Sequence, residues 1–132
     1  AELSYKKTIE ENSETAFENY LTKYPNSIRK TDIENRLIDI VWSRIKNNTS
    51  TSELFDFIKK FPKSEFVAQA KVKIELLSWE QAIQENSVEA FEEFMANYPK
   101  SEKAIDAKAK IQNIKSTVLP YLTTEKKYKL YK

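Results

Sequence analysis

The sequence predicts an all-α fold, an α-solenoid of antiparallel helix hairpins, and three observations support this prediction. Pro25, Pro62 and Pro99 are spaced 37 residues apart in the 132-residue chain. Apolar and aromatic residues recur at the same spacing without a gap. Between these prolines there is neither proline nor glycine, the residues that break helices. A repeat of this length, whose hairpins bury their apolar faces against their neighbours, is typical of a solenoid.

Each proline lies in a related tetrapeptide, which consists of an aromatic residue, the proline, a variable residue and a serine. The three tetrapeptides are at 24–27, 61–64 and 98–101. The same offset aligns Tyr5/Trp42/Trp79, Ser13/Ser50/Ser87, Phe17/Leu54/Phe91, Tyr20/Phe57/Phe94, Leu21/Ile58/Met95, Leu37/Ile74/Ile111 and Leu3/Ile40/Leu77/Ile114. The chain therefore contains three copies of the repeat and the first helix of a fourth. Because Trp42 and Trp79 belong to a repeated set, we interpret them as core residues rather than ligand-stacking residues.

Start and stop signals place about seven helices. Ser13, Ser50 and Ser87 lie where N-caps belong, and Ser50 with Glu53 predicts a capping box. Each proline ends a helix, and the serine after it caps the next one. The predicted helices run over about 1–11, 13–24, 27–48, 50–61, 64–85, 87–98 and 101–116.

The longer helices carry apolar residues on two sides. In the helix predicted over 64–85, one stripe contains Val67, Ala70, Ile74 and Leu77, and the other contains Val72, Leu76, Trp79 and Ile83. A helix that is apolar on two sides is expected to have neighbours on both. Small residues, including Ala16 and Ala90, are expected where helix backbones approach closely.

The composition excludes most catalytic motifs. The chain contains no His, Gly or Cys, so His-dependent dyads, Gly-rich phosphate loops and thiolate metal sites are absent from the sequence. Adjacent carboxylates such as Glu92 and Glu93 point in different directions from a helix. We therefore predict no catalytic residues, no metal, no cofactor and no enzymatic activity. The apolar runs are too short for a membrane-spanning helix.

The spacing of Ala90, Phe94, Tyr98, Pro99 and Ser101 resembles the tetratricopeptide repeat. It is most similar to the bacterial variety that ends its second helix in Tyr-Pro-x-Ser, found in periplasmic and outer-membrane-assembly adaptor proteins. The resemblance implies a curved surface that binds a protein or peptide partner and has no catalytic residues. It favours the bacterial periplasm or envelope as the location, with the cytoplasm as the alternative. A related alternative is the half-tetratricopeptide repeat of RNA-processing scaffolds.

The predicted function is a non-enzymatic protein–protein interaction scaffold or adaptor. If the curvature is that of the resembling family, the polar face of the longer helices lines its groove. The candidate partner-binding residues are Arg29, Asp32, Arg36, Asp39, Gln69, Lys73, Glu80, Asp106 and Lys110. The alternative function is a structural spacer within a multidomain chain, making only intramolecular contacts.

The repeat domain is predicted over 1–117, and both its end helices and the segment after it have unusual features. Apolar residues on the first and last helices favour missing repeats, self-association through the ends, or a tail that folds back as a cap. Residues 118–132 form a basic tail in which Lys126, Lys127, Lys129 and Lys132 interleave with tyrosines. This tail is either a linker or a weaker candidate for contact with nucleic acid or an anionic membrane.

The nucleic-acid hypothesis for the tail makes a direct prediction. Filter binding at low salt should show affinity for single strands that falls steeply as salt is added, because lysines release counterions from the phosphates. Replacing the four tail lysines by glutamine should abolish that affinity. Absence of binding by the unaltered chain at low salt would remove the hypothesis.

Overall fold

The computed structural model describes residues 2–121, which form helices joined by short connections, without a strand. The helices are α1 (Glu2–Glu11), α2 (Glu14–Lys23), α3 (Lys30–Ile45), α4 (Thr51–Lys60), α5 (Val67–Glu85), α6 (Val88–Asn97) and α7 (Lys103–Val118), followed by a 3₁₀ turn at Leu119–Tyr121. The predicted all-α class with seven helices is confirmed. The four lysines of the predicted basic tail lie outside the described residues.

The chain divides into two compact units, one ending at Ile74 and the other beginning at Glu75. With the repeat copies numbered as copy 1 (1–37), copy 2 (38–74) and copy 3 (75–111), this boundary falls between copies 2 and 3. Helix α5 begins in the first unit and ends in the second. The arrangement of all copies as one solenoid stays a prediction.

The core of each unit consists of the aligned apolar sets. Phe17, Leu54 and Phe91 are completely shielded from solvent. Two further sets are also buried, Leu37/Ile74/Ile111 and Ile33/Ala70/Ala107. Helix α2 packs on both α1 and α3 in the first unit, and α6 packs on α7 in the second. The spacing therefore predicted the first two of these three sets correctly, whereas Leu3, which shares an aligned set with Ile40, Leu77 and Ile114, is 68% exposed.

Three aromatic rings connect the two helices of each copy. In copy 2, the ring centroid of Phe57 lies 5.3 Å from Trp42 and 5.3 Å from Phe61. The corresponding trios are Tyr5, Tyr20 and Tyr24 in copy 1, and Trp79, Phe94 and Tyr98 in copy 3, with successive centroids 5.0–6.3 Å apart. Trp42 and Trp79 are only 8% and 7% exposed. The interpretation of both tryptophans as core residues is confirmed.

The turn around each proline has the same geometry in all three copies. The backbone N–H of Ser27 donates to the carbonyl of Tyr24 at 3.1 Å, and Ser64 and Ser101 repeat this bond at 3.0 and 3.1 Å. Each serine Oγ then accepts the backbone N–H two residues later. The serine thus caps a short turn rather than the helix itself. For this reason α3, α5 and α7 begin two or three residues later than the sequence predicted.

Asparagine makes the tight connections that lead into α2 and α6. Asn12 and Asn86 have φ of 51° and 50°, the left-handed region that asparagine tolerates better than most residues. In each case the next residue, Ser13 or Ser87, is the N-cap, and its Oγ accepts a backbone N–H at 3.1 Å. The connections therefore need only two residues and no glycine.

Copy 2 has Thr49 at the position of these asparagines, and its connection is different. A β-branched residue is unfavourable in the left-handed region, and α3 ends earlier, at Ile45. Ser50 is the N-cap, as predicted, but its Oγ accepts from Ser52 rather than from Glu53. The predicted capping box is wrong, because the Glu53 carboxylate is instead bonded to side chains of α3 and its C-terminal turn.

The second apolar stripe predicted on α5 is mostly exposed. Only Trp79 is buried, because its long side chain reaches the rings of Phe91 and Phe94. The other members, Val72, Leu76 and Ile83, are 68%, 40% and 42% exposed. The prediction that this stripe is covered within the chain is wrong for these three residues.

The asparagine turns make a prediction about stability. Asn86→Gly should leave the free energy of unfolding unchanged or raise it by up to about 1 kcal/mol, because glycine has no Cβ clash at positive φ. Asn86→Val should lower it by about 1–2 kcal/mol. Urea unfolding followed by circular dichroism measures both, with Asn113→Val on the exposed side of α7 as the matched control. Equal stabilities of the glycine and valine variants would contradict this account of the turn.

Candidate functional site

Three of the predicted groove residues take part in a polar network that joins α1 to α3. The hydroxyl of Tyr5 donates to Oδ2 of Asp32 at 2.6 Å, and Arg36 Nε donates to the same oxygen at 2.9 Å. Arg29 donates from Nε and Nη2 to the two carboxylate oxygens of Glu2 at 3.0 and 3.3 Å. Its guanidinium also lies 4.6 Å from the centroid of the Tyr5 ring. These side chains are therefore bound within the chain.

The network changes the acid strength of its members. The hydrogen bond from Tyr5, with the nearby guanidinium of Arg36, lowers the pKa of Asp32 below its ordinary value. The same hydrogen bond raises the pKa of the Tyr5 hydroxyl, because the carboxylate disfavours a phenolate beside it. Asp32 is thus held ionised as an acceptor for both partners.

The other six predicted groove residues are not part of this network. Asp39, Gln69, Glu80 and Asp106 are exposed, whereas Lys73 and Lys110 are half-buried. Asp39 lines a large cleft in the first unit, and Lys110 lines a smaller pocket in the second, together with Asn86 and Asn113. The predicted set therefore divides into an internal network, one cleft residue, one pocket residue and four residues placed along α5 and α7.

The large cleft of the first unit lies between α2, α3 and the connection from α4 to α5, and has a volume of about 1080 Å³. Its lining includes buried Leu37 and the half-buried side chains of Ile38, Phe61 and Phe66. On one side, Lys60 and Glu18 form an ion pair at 2.9 Å. This combination gives the cleft an apolar floor closed at one side by a charge pair.

The rim of the cleft carries exposed charges of both signs. Asp39, Lys63 and Glu65 line it, and none of them forms an ion pair with another of residues 2–121. The sequence pointed to Asp39 as a site residue but not to Lys63, which it placed in the turn after Pro62, or to Glu65, which it placed in the next helix. The available signal was the charged pair that brackets Ser64, directly after Pro62.

Two smaller pockets occupy the same positions in copies 1 and 3. The copy 1 pocket has a volume of about 180 Å³ and is lined by Ser4, Lys7, Thr8, Glu11, Ala16, Asn19, Tyr20, Lys23 and Tyr24. The copy 3 pocket has a volume of about 130 Å³ and is lined by Ser78, Gln81, Ala82, Glu85, Ala90, Glu93, Phe94, Asn97 and Tyr98. Every residue of one set lies two repeat lengths from its counterpart, so the pocket is a property of the repeat.

A pair of hydroxyl groups lies at one side of each pocket. Ser4 Oγ lies 3.0 Å from the Tyr24 hydroxyl, and the corresponding oxygens of Ser78 and Tyr98 are 3.4 Å apart. In copy 2 the same positions hold Val41 and Phe61. Both partners are replaced together, which avoids leaving a hydroxyl without its hydrogen bond.

In copy 2 a glutamate occupies the corresponding space. Glu53 stands where the other copies have Ala16 and Ala90, and its carboxylate accepts hydrogen bonds from Arg44 and Asn48. Arg44 and Asn48 are themselves at pocket positions. The small alanine therefore determines whether this position in the repeat is open or filled.

The two pockets differ in charge. The copy 1 lining contains Lys7, Lys23 and Glu11, whereas the copy 3 lining contains Glu85 and Glu93 and no lysine or arginine. The same scaffold position thus presents net positive charge in one unit and negative charge in the other.

Within residues 2–121, no group of three or more metal-ligating side chains converges, and no helix has the length and hydropathy needed to cross a membrane.

The Asp32 network makes a prediction about pH. Because the folded pKa of Asp32 is lowered, its stabilising contribution is present above the unfolded pKa of about 3.9 and is lost as pH falls through the folded pKa. Tyr5→Phe should raise the Asp32 pKa and reduce the loss of stability on acidification. Carboxyl NMR titration and urea unfolding at several pH values measure these effects.

Tyr24→Phe is the matched control, because it removes the hydroxyl paired with Ser4 and leaves Asp32 untouched. The Asp32 titration should be the same in this variant as in the unaltered chain. An Asp32 titration that Tyr5→Phe also leaves unchanged would contradict the assigned network.

Comparison with known protein families, with curated proteins and with solved structures finds no match to this chain.

Proposed function

We propose that the chain is a non-enzymatic protein–protein interaction scaffold or adaptor, and that the cleft between α2, α3 and the α4–α5 connection binds a segment of a partner protein. The observation that supports this most directly is the combination of an apolar floor with rim charges that form no ion pair within residues 2–121. Protein interfaces have the same organisation, with an apolar centre surrounded by polar residues.

The volume of the cleft and the charges on its rim favour a polypeptide over a small molecule. Its volume of about 1080 Å³ is slightly larger than that of typical small-molecule pockets, which measure ~300–1,000 Å³. An apolar side chain of the partner would lie over Ile38 and Phe61. A basic and an acidic residue beside it would pair with Asp39 and Lys63, which would fix the orientation of the bound segment.

The proposal contains no chemical step, in keeping with a sequence that lacks His and Cys. The resemblance to tetratricopeptide repeats of bacterial adaptor proteins supports the same role. It also favours the cell envelope as the location, and we retain that location as part of the proposal.

The cleft can be tested by site-specific photocrosslinking in cells that naturally produce the protein. A photoreactive amino acid at Asn35, which lines the cleft, should capture a partner. The same amino acid at exposed Asp56, outside the cleft lining, should not. Failure to capture a protein from any cleft position would favour the spacer hypothesis.

Binding of the captured partner should then depend on the rim charges. Asp39→Lys combined with Lys63→Glu is expected to weaken binding about tenfold, because the two rim charges that would pair with the partner are reversed. Arg36 is unsuitable for this purpose, since reversing it would break its bond to Asp32. Asp56→Lys with Lys59→Glu, two exposed residues of α4, makes the same charge changes outside the cleft and should have little effect. Equal affinities of the two double variants would contradict the proposed site.

A further inference from the structure

We propose that the copy 1 pocket, on the side of α2 opposite the cleft, docks an acidic helix of a partner protein that carries two glutamates one turn apart. The first step of the argument is an interaction inside the chain. Arg44 binds Glu14 through Nε at 2.6 Å and Nη2 at 3.2 Å, and Lys60 binds Glu18 at 2.9 Å. Copy 2 thus uses a pair of cations to hold two glutamates spaced four residues apart on α2.

The second step is that copy 1 repeats this pair of cations. Lys7 and Lys23 stand one repeat length before Arg44 and Lys60, and both line the copy 1 pocket. Neither lysine forms an ion pair with any carboxylate of residues 2–121. The Lys23 ammonium lies 5.6 Å from the ring centroid of its neighbour Tyr24. Copy 1 therefore presents the same cationic positions without the acidic helix that copy 2 binds.

The third step concerns the space beside the cations. Arg44 contacts two carboxylates, Glu14 from the preceding helix and Glu53 from its own copy. In copy 1 the position of Glu53 is held by Ala16, and a pocket of about 180 Å³ remains there. Glu11 is the one carboxylate in the pocket lining. A docked helix would place a glutamate carboxylate beside Lys7 and Lys23, and the pocket next to Ala16 leaves room for that side chain.

The geometry favours a helix over the competing occupant, a second copy of the chain through its acidic copy 3 pocket. Glu85 and Glu93 of that pocket lie on two different helices around a recess. Glu14 and Glu18 project from one helix, where residues four apart are neighbours on the same face. A helix that carries two glutamates on one face is convex and fits into the copy 1 pocket. The copy 1 and copy 3 pockets are both concave and do not fit each other.

The probe for this proposal is a peptide with the sequence of residues 12–24, which contains Glu14 and Glu18. Because an isolated helix this short is marginally stable in water, the peptide carries Thr15→Lys and Asn19→Asp. A lactam bridge between these two side chains holds it helical. The control peptide is identical except for Glu14→Gln and Glu18→Gln. Both are titrated into the ¹⁵N-labelled full chain and followed by NMR.

We expect the acidic peptide to bind with a dissociation constant of about 1 mM or tighter, and to shift the amide signals of Lys7, Thr8 and Lys23. The glutamine peptide should bind about tenfold more weakly, and added salt should weaken the acidic peptide selectively. Equal binding of the two peptides would overturn the proposal.

A charge swap in the chain completes the test. Lys7→Glu with Lys23→Glu should lose about tenfold in affinity for the acidic peptide and bind a peptide with lysine at positions 14 and 18 instead. Lys59→Glu with Lys71→Glu, at exposed positions outside the pocket, should bind the acidic peptide like the unaltered chain. Circular dichroism checks that each variant is folded. If the Lys7/Lys23 variant bound the acidic peptide as tightly as the unaltered chain, the proposal would be overturned. It would also be overturned if the chain self-associated and the same two substitutions abolished that self-association.

This proposal is independent of the proposed function of the cleft, since the two surfaces share no residue. The Asp39/Lys63 variant should bind the acidic peptide normally. Loss of peptide binding only in the pocket variant therefore supports the docking site whatever the outcome for the cleft.

Discussion

Contact among three aromatic rings is the interaction on which each copy of the repeat depends. The first ring comes from one helix, the second from the next helix, and the third immediately precedes the proline. That third residue also ends its helix, and its carbonyl accepts the serine N–H that forms the turn. Aromatic residues supply most of the buried area of a small core. The same contact therefore brings the two helices of a copy together and positions the chain for the next helix.

Much of this arrangement could be predicted from the sequence, because periodicity reports directly on burial. The spacing indicates a core role for the residues that share a position with Phe17, and they are buried, as are Trp42 and Trp79. Tyr5, which shares the position of the tryptophans, is half-buried. The connections were harder to predict. A serine oxygen can cap a short turn as readily as a helix, so the helices after each proline were placed too early. Asn12 gave no signal, since its left-handed conformation depends on the backbone on both sides of it.

Polar residues were harder to predict than apolar ones, because their partners can be distant in sequence. Glu53 has the spacing of a capping box, but the guanidinium of Arg44 lies nearby and adds the attraction of a second full charge, which a backbone N–H does not carry. Asp32 has the pattern of an exposed groove residue, yet Tyr5 reaches it from another helix, 27 residues away in sequence. The cleft and the repeated pockets likewise depend on which segments come together, and a pattern on one helix does not contain that information.

The paired replacement of Ser4 and Tyr24 by Val41 and Phe61 limits how such a chain can gain or lose copies by recombination. The two partners are separated by 20 residues of a 37-residue period. A crossover between them would join a serine to a phenylalanine, or a valine to a tyrosine, and leave one hydroxyl without its bond. A crossover outside this interval transfers a matched pair intact. Hydrogen bonding inside the hairpin thus favours the inheritance of whole hairpins over fragments of them.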